Sequence, residues 1–392
     1  MAQHGHALIA GAGIGGLTAA LCLSRQGWQV DLYEASPAID EVGAGLQLSP
    51  NAMAVFRALG LTDEIAARAF APEALELRLG RSGRQIFSIP VNQPGKHRWR
   101  DPYLHIHRAD LIGVLAAAAK ATEGIQVHTA QKVAGYETEN GQACLRLNDA
   151  ATAQADLLIG ADGLHSVIRR QMLGDTPARF TGNLAWRATV PMDRLDTPPP
   201  PTACVWAGPG RHAVTYRLRG GALANFVGIV ESGTWKGENW RDAGSMDAAL
   251  KDFEGWDPVI TGLIRAADSH LLWGLYDRAP LPRWNDGAVT LLGDACHPML
   301  PFQAQGAAQA IEDAFVLAAE LDSGGPVPGS LIRYEWARKP RTSRIQAASR
   351  ANMKTFHKRS LPGQAATYGP MWIAGRLLPS MVRSRLDWIY SH

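Results

Sequence analysis

An α/β fold is what this sequence predicts: a Rossmann-like nucleotide-binding domain, a mixed antiparallel-sheet domain set into it, and a helical C-terminal segment. Three observations carry the prediction. A short apolar run, His6 to Ala10, leads into glycines at 11, 13, 15 and 16. Two later apolar runs end in Asp162-Gly163 and Gly293-Asp294. Between them, from about 184 to 276, the pattern changes to short strand-like runs separated by turn residues.

The first run reads as a strand. Gly11, Gly13 and Gly16, with Gly15 in the same turn, let the backbone bend tightly, and a helix starting near Ile14 presents its N-terminal amides to a pyrophosphate. A second alternating strand, Gln29 to Tyr33, ends at Glu34. A carboxylate there accepts both ribose hydroxyls of an adenosine and disfavours a phosphate on that ribose, so the residues select FAD or NAD. A helix follows over 51–59, then the proline-bearing basic stretch "IPVNQPGKHRWRDPY", then a short strand feeding a helix in "LHIHRADLIGVLAAAAKA". Strands follow in "IQVHTA", "VAGYETE", "ACLRLN" and "ADLLIGADG".

The middle third supplies "LAWRATVPM", "ACVWAG", "HAVTYRL", "ALANFVGIV" and "LLWGLYD", with Arg219-Gly220-Gly221 as a hairpin turn. Trp186, Trp206, Trp235, Trp240, Trp256 and Trp273 fall in this stretch, either lining an aromatic cavity or packing as ordinary core. "AVTLLGDA" returns to the parallel style and leads to a helix near Gly306, and the remainder reads as helical. The expected division is 1–72, 101–175 and 277–325 for the nucleotide domain, 73–100 and 176–276 for the substrate domain, and 326–392 for the helical segment.

Composition excludes several classes. A net charge of +3 with 19% charged residues is too balanced for an electrostatic nucleic-acid binder. The basic cluster "ARKPRTSRIQAASR" reads as a solvated helix face. Four scattered cysteines, without a CxxC pair or metal-ligand spacing, point to no metal site and to a reducing, cytoplasmic setting. His105 and His107 read as packing residues of one strand rather than ligands. No signal peptide is recognised, and no apolar stretch is long enough for a membrane span.

The second and third glycine runs add chemistry. DGxxSxxR after a buried strand puts the Asp162 carboxylate, the Ser166 hydroxyl and the Arg169 guanidinium on one nucleotide-facing turn. In "LLGDACHPMLPFQAQGAAQAIEDAF", Asp294 is placed to accept from a cofactor hydroxyl, while amides near Gln305, Gly306 and Ala307 suit an anionic ring or phosphate. Glu312 and Asp313 read as structural acids of the first helical turn.

Together, GxGxxG with Glu34, DGxxSxxR from Asp162 to Arg169 and GDAxHPxxPxxxQG from Gly293 to Gly306 resemble the class A flavoprotein aromatic hydroxylases of the para-hydroxybenzoate and salicylate hydroxylase type. The resemblance covers the nucleotide half of the chain. It implies Arg108, in "HRADL", near the FAD phosphates, and a cycle in which NADH or NADPH reduces FAD and a flavin hydroperoxide oxidises a small phenolic or heteroaromatic acid. It also nominates Gln47, Arg187, Tyr216 and His297 for the substrate pocket, with Thr215, Pro298 and His212 for catalysis. Thr215 stands where some relatives carry His or Tyr to deprotonate the phenol, and His212 is the substitute base. The partners so implied are the aromatic substrate, O2 and NAD(P)H, with a homodimer as one assembly open to the chain. A flavin oxidase or dehydrogenase of an amine or alcohol, and a flavin redox sensor without turnover, stay open as alternatives.

Overall fold

The computed structural model describes residues 5–39, 44–92, 99–175, 178–233 and 242–391. In strand His6–Ala10 the residues Ala7 to Ala10 are buried, packed against helix Ile14–Arg25 and against a three-stranded antiparallel sheet of Val133–Glu139, Gln142–Leu147 and Thr152–Ala155. The strand lies between Gln29–Tyr33 and Leu157–Gly160, all parallel. Outward from Leu157–Gly160 come the parallel Val289–Leu291 and the antiparallel edge pair Asn285–Asp286; beyond Gln29–Tyr33 comes Ile125–His128. The chain thus leaves the first strand toward one side and returns on the other, which opens a crevice at its C-terminal end. Helices Ile14–Arg25, Arg108–Ala121 and Gly306–Asp322 cover the sheet, and Leu8, Ile9, Leu17, Leu32, Leu158 and Ile311 are fully buried between these layers.

The second sheet has eight strands. At its centre Arg179–Pro191 pairs antiparallel with Leu223–Glu231 on one side and His270–Asp277 on the other. Arg211–Leu218 and Ala203–Gly208 continue the sheet, and Ala74–Leu79 and Gln85–Pro90 complete it from earlier in the chain. The expected turn at Arg219-Gly220-Gly221 does join two of these strands, with Leu218 opposite Leu223 and all three turn residues at positive φ.

Behind this sheet, Trp186, Trp206, Phe226, Phe253 and Trp256 pack with helix Pro258–Ala266 as a second core. The described tryptophans therefore do not form an aromatic chamber. Trp186, Trp206 and Trp256 face away from the crevice, Trp273 lies beneath Arg187, and Trp235 and Trp240 fall outside the described residues.

The C-terminal segment is helical, as expected, and begins with the 30-residue helix Val327–Phe356. At 1.5 Å per residue it is about 45 Å long. The basic run on it is not simply a solvated face. Arg338 is buried and Arg341 nearly so, because both turn inward onto Glu312.

Candidate active site

Strand Gly45–Leu48 carries the nucleotide layer onto the eight-stranded sheet, and Gly45 is the joint. Its N–H donates to Asn225 Oδ1 at 2.9 Å and its carbonyl accepts from the Tyr216 hydroxyl at 2.7 Å. A Cβ at Gly45 would stand 2.4 Å from the Tyr216 ring, so only glycine permits this approach. A single cavity runs along the junction. At one end it is lined by Gly13, Ile14 and Gly15; at the other by Arg187, His212, Val214, Tyr216, Val227 and Ile229. Gln47, Arg108, Asp294, Gly306 and Ala307 line it between these ends.

The glycine turn divides into two roles. Gly11, at φ +103°, and Gly16 pack against backbone: a Cβ would lie 2.5 Å from the Ala161 carbonyl at Gly11, and 1.9 Å from the Gly11 carbonyl at Gly16. These two close the turn. Gly13 caps helix Ile14–Arg25 without a side chain, and a Cβ there would meet nothing within 4 Å. The open space lies over the helix N-terminus, where a pyrophosphate would approach. Gly163 and Gly306 have the same openness on the cavity wall. Asp162 Oδ1 is buried with no hydrogen-bond partner among the described residues, a polar atom positioned to be satisfied by a ligand. These features fit a dinucleotide.

Glu34 lies at the end of the second strand, outside the lining of the cavity. Its carboxylate accepts from Ala12 N at 2.9 Å and Ser36 N at 2.8 Å, which sets it beside the glycine turn with lone pairs to spare. The DGxxSxxR run is rearranged relative to expectation. Asp162 Oδ2 accepts from Val167 N at 2.7 Å, Ser166 Oγ accepts from Arg169 N at 2.9 Å, and the Arg169 guanidinium donates to the carbonyls of Ala295 and Leu164. Apart from the free Asp162 oxygen, these groups cap the helix Val167–Leu173 and tie its turn to the Gly293–Ala295 loop, and Ser166 and Arg169 do not line the cavity.

Three nominated residues point elsewhere: Thr215 and Pro298, expected to be catalytic, and His297, expected in the pocket. Strand Arg211–Leu218 alternates faces, so His212, Val214 and Tyr216 face the cavity while Thr215 faces the second core, where its hydroxyl accepts from Trp206 Nε1 at 2.9 Å. Pro298 is held away by its carbonyl, which accepts from Gln346 Nε2 at 2.9 Å; residues 299–302 of the same loop line the cavity instead. His297 turns into the protein interior. Its Nε2 meets Asp313 Oδ2 at 2.5 Å, and the same oxygen accepts from Gly293 N at 3.1 Å. Asp313 thus anchors the loop that carries Asp294.

Glu312 and Asp313 are not first-turn acids; they lie in the second turn, buried. Arg338 donates to Asp313 at 2.7 Å and to Glu312 at 2.5 Å, and Arg341 adds 2.7 and 2.8 Å bonds to Glu312. Burial raises the Asp313 carboxyl, but the His297 and Arg338 charges outweigh it and hold the group down to about 2. The fold also brings ligand atoms of Cys296, His297 and Asp313 within 4.8 Å of one another, a grouping that the spacing did not suggest. Asp313 is already engaged by the guanidinium and the imidazole, so the cluster reads as an ion-pair network.

On the cavity wall, Gln47, Arg187, Tyr216 and His212 are each held by a neighbour. Gln47 Oε1 accepts from the Tyr103 hydroxyl at 2.6 Å, which leaves its amide N–H bonds for a ligand. The Arg187 guanidinium lies over the Trp273 ring, 4.4 Å from its centroid. Tyr216, committed to Gly45, is kept protonated because burial raises its phenol. His212 is buried, and burial first, then the neighbouring His357, holds its imidazole well below its ordinary value. Its Nδ1 lies 2.7 Å from His357 Nε2, and His357 Nδ1 lies 3.0 Å from Glu231 Oε1. Asp294 opens onto the cavity, where shielding from bulk water raises its carboxyl. Sequence reading missed His357, Glu231, Tyr103 and the 299–302 stretch; the period of two in "HAVTYRL" was the available signal against Thr215.

The crevice of a parallel sheet, a glycine turn open over a helix N-terminus, and a cavity shared with an antiparallel sheet define a dinucleotide-binding protein with a second site beside the nucleotide. The chain belongs to the FAD binding domain family, which it matches over residues 5–349, and FAD is its cofactor. It is 36% identical to a 3-hydroxybenzoate 6-hydroxylase of Aquipseudomonas alcaligenes, over 99% of this chain and 98% of that protein. It is 35% identical to a 3-amino-4-hydroxybenzoate 2-monooxygenase of Streptomyces platensis, covering 97% and 94%. The structure of Klebsiella pneumoniae HpxO with FAD and uric acid superposes with a TM-score of 0.84 at 27% identity, over 97% of each chain. These likenesses place the chain among the class A flavoprotein hydroxylases, as the motifs implied. Among the described residues, no helix is long and apolar enough to cross a membrane.

Proposed function

We propose that this protein is an FAD-dependent monooxygenase that uses NADH or NADPH, from the cytoplasmic supply, and O2 to hydroxylate a small phenolic or heteroaromatic acid. One observation carries the reading: the cavity that begins at the dinucleotide glycines Gly13 and Gly15 ends, without interruption, at Arg187, His212 and Tyr216. FAD supplies the redox chemistry and the activation of oxygen. The open amides at Gly13 would take the pyrophosphate, Glu34 the adenosine ribose, Arg108 the phosphates, Asp294 a sugar-alcohol hydroxyl, and the amides at Gly306 and Ala307 the anionic ring.

The protein's task at the ring end is to bind, dry and deprotonate. Val214, Val227, Ile229, Leu300 and Phe302 exclude water. Arg187, the cation of this wall, suits the substrate carboxylate, and the Gln47 amide suits a ring substituent. His212, kept neutral, accepts the phenolic proton at Nε2, and the resulting phenolate is the electron-rich form that an electrophilic oxygen attacks. The test is direct. The purified yellow protein is assayed for NADH and NADPH oxidation and O2 uptake with a panel of hydroxybenzoates and hydroxynicotinates. Stimulation by one of them, with a product heavier by one oxygen atom, supports the reading. Anaerobic flavin reduction by an amine or alcohol alone would overturn it.

A further inference from the structure

His212 is the inner end of a hydrogen-bonded line that leaves the cavity. Its Nδ1 is 2.7 Å from Nε2 of His357, the buried residue that caps helix Val327–Phe356, and His357 Nδ1 is 3.0 Å from Oε1 of Glu231. Glu231 ends its strand at the surface, its side chain 34% exposed and paired with the exposed Arg359. Phe302 and Phe356 flank the His212 ring, with centroids 5.2 Å away, so this line is enclosed by apolar rings on its inner part. We propose that His357 and Glu231 form the exit path by which the phenolic proton, taken up by His212, reaches solvent. The inference rests on the reading of His212 as the base.

The hydrogen-bond directions support transfer outward. A carboxylate can only accept, so Glu231 makes His357 Nδ1 the donor, and His357 Nε2 is then an acceptor. That acceptor draws the proton of His212 to Nδ1 and leaves a lone pair on His212 Nε2, the form a base must have. One cycle balances: the phenol O–H breaks as Nε2–H forms on His212; the Nδ1 proton of His212 passes to His357 Nε2; the Nδ1 proton of His357 passes to Glu231 and then to water. A proton returning as product leaves runs the same steps backward and restores the starting tautomers.

The ionisable groups facing the pair are Arg211 on His212's own strand, Glu231 on the next strand and Arg359 beyond the helix. Burial, and then Arg359 and Arg211, disfavour a lasting charge on His357, while Glu231 favours its transient protonation. Burial raises the Glu231 carboxyl, but Arg359 and His357 outweigh it and keep the group ionised. A charged intermediate between two sites that each prefer neutrality is short-lived, as a relay requires.

The test uses FAD-loaded protein without reduced nicotinamide, mixed in weak buffer containing phenol red with 3-hydroxybenzoate, 4-hydroxybenzoate or 6-hydroxynicotinate. Phenolate absorbance reports deprotonation and the dye reports release. In the wild type the two signals rise together. His357→Gln keeps a hydrogen-bonding side chain that cannot shuttle, and is expected to retain FAD and ligand affinity while slowing release by roughly tenfold to a hundredfold. Added imidazole should restore release in His357→Gly. Glu231→Gln, at the surface end where folding is least at risk, should slow release as well. Wild-type release rates in both His357→Gln and Glu231→Gln would overturn the relay. Phenolate formation at the wild-type rate in His212→Gln, or no deprotonation of any of the three acids, would instead overturn the base on which it rests.

Discussion

Replacing Arg187 with methionine removes the guanidinium while keeping an unbranched apolar stem over Trp273. The guanidinium stands 4.4 Å from the Trp273 centroid on the central strand Arg179–Pro191, at the ring end of the cavity. A hydrogen bond from such a cation to a carboxylate contributes about 1.5–3 kcal/mol. At about 1.4 kcal/mol per decade, Arg187→Met should weaken a carboxylated phenol roughly 10- to 150-fold. The loss should depend on the ligand's charge. In a titration of the flavin absorbance, binding of 3-hydroxybenzoate should fall by that factor while 3-hydroxybenzamide binds nearly as before, because the amide never had the ion pair to lose. KM should rise accordingly with kcat little changed, since the carboxylate contact is the same in substrate and transition state. Equal loss for acid and amide would show that Arg187 only shapes the wall. No loss for either would remove it from substrate recognition.

Two further outcomes concern the frame of the site. Arg338→Met strips a buried cation from between Glu312 and Asp313 and should cost about 3–5 kcal/mol in urea unfolding, because among the described residues Asp313 keeps His297 and Gly293 N as its partners. Weaker FAD retention should accompany it, as Asp313 anchors the Gly293–Ala295 turn; unchanged stability would refute the network. His105 lies wholly buried among the rings of Phe70, Tyr103 and Tyr216, and burial lowers its imidazole from 6.5 to about 3. The folded protein therefore binds fewer protons than the unfolded chain below 6.5. The contribution of His105 to stability is complete above that pH and declines as pH falls toward 3, by about 2 kcal/mol at pH 5. His105→Phe should flatten that part of the decline between pH 7.5 and 5; an unaltered slope would place the acid sensitivity elsewhere.

The nucleotide layer was legible because backbone geometry dictates its residues. Only glycine survives at Gly16, where a Cβ would stand 1.9 Å from the Gly11 carbonyl, and the apolar run His6–Ala10 and the alternating Gln29–Tyr33 read as strands from pattern alone. The ring end was legible in composition and not in direction. His212, Thr215 and Tyr216 share one strand, and a period of two admits the first and last to one face while sending Thr215 to the other, a constraint that likeness to relatives does not convey. The back of the site was not legible at all, for a physical reason. Helix Val327–Phe356 buries Arg338, Thr342, Gln346 and Ser349 at helical spacing, and at its end His357. Thr342 donates back to its own helix, and the other four each satisfy a distant group: Asp313, the carbonyls of Pro298 and Leu300, and the His212 ring. A buried face built from charge and hydrogen bonds looks, in sequence, like a solvated one, since hydropathy registers the polarity of a side chain and not the partner that waits for it. The same property gives this helix its grip on the site: apolar packing is non-directional, whereas separate directed hydrogen bonds along the helix, from Arg338 to Asp313 at one point and from His357 to His212 and Glu231 at its end, orient both the cofactor loop and the imidazole that faces the ring.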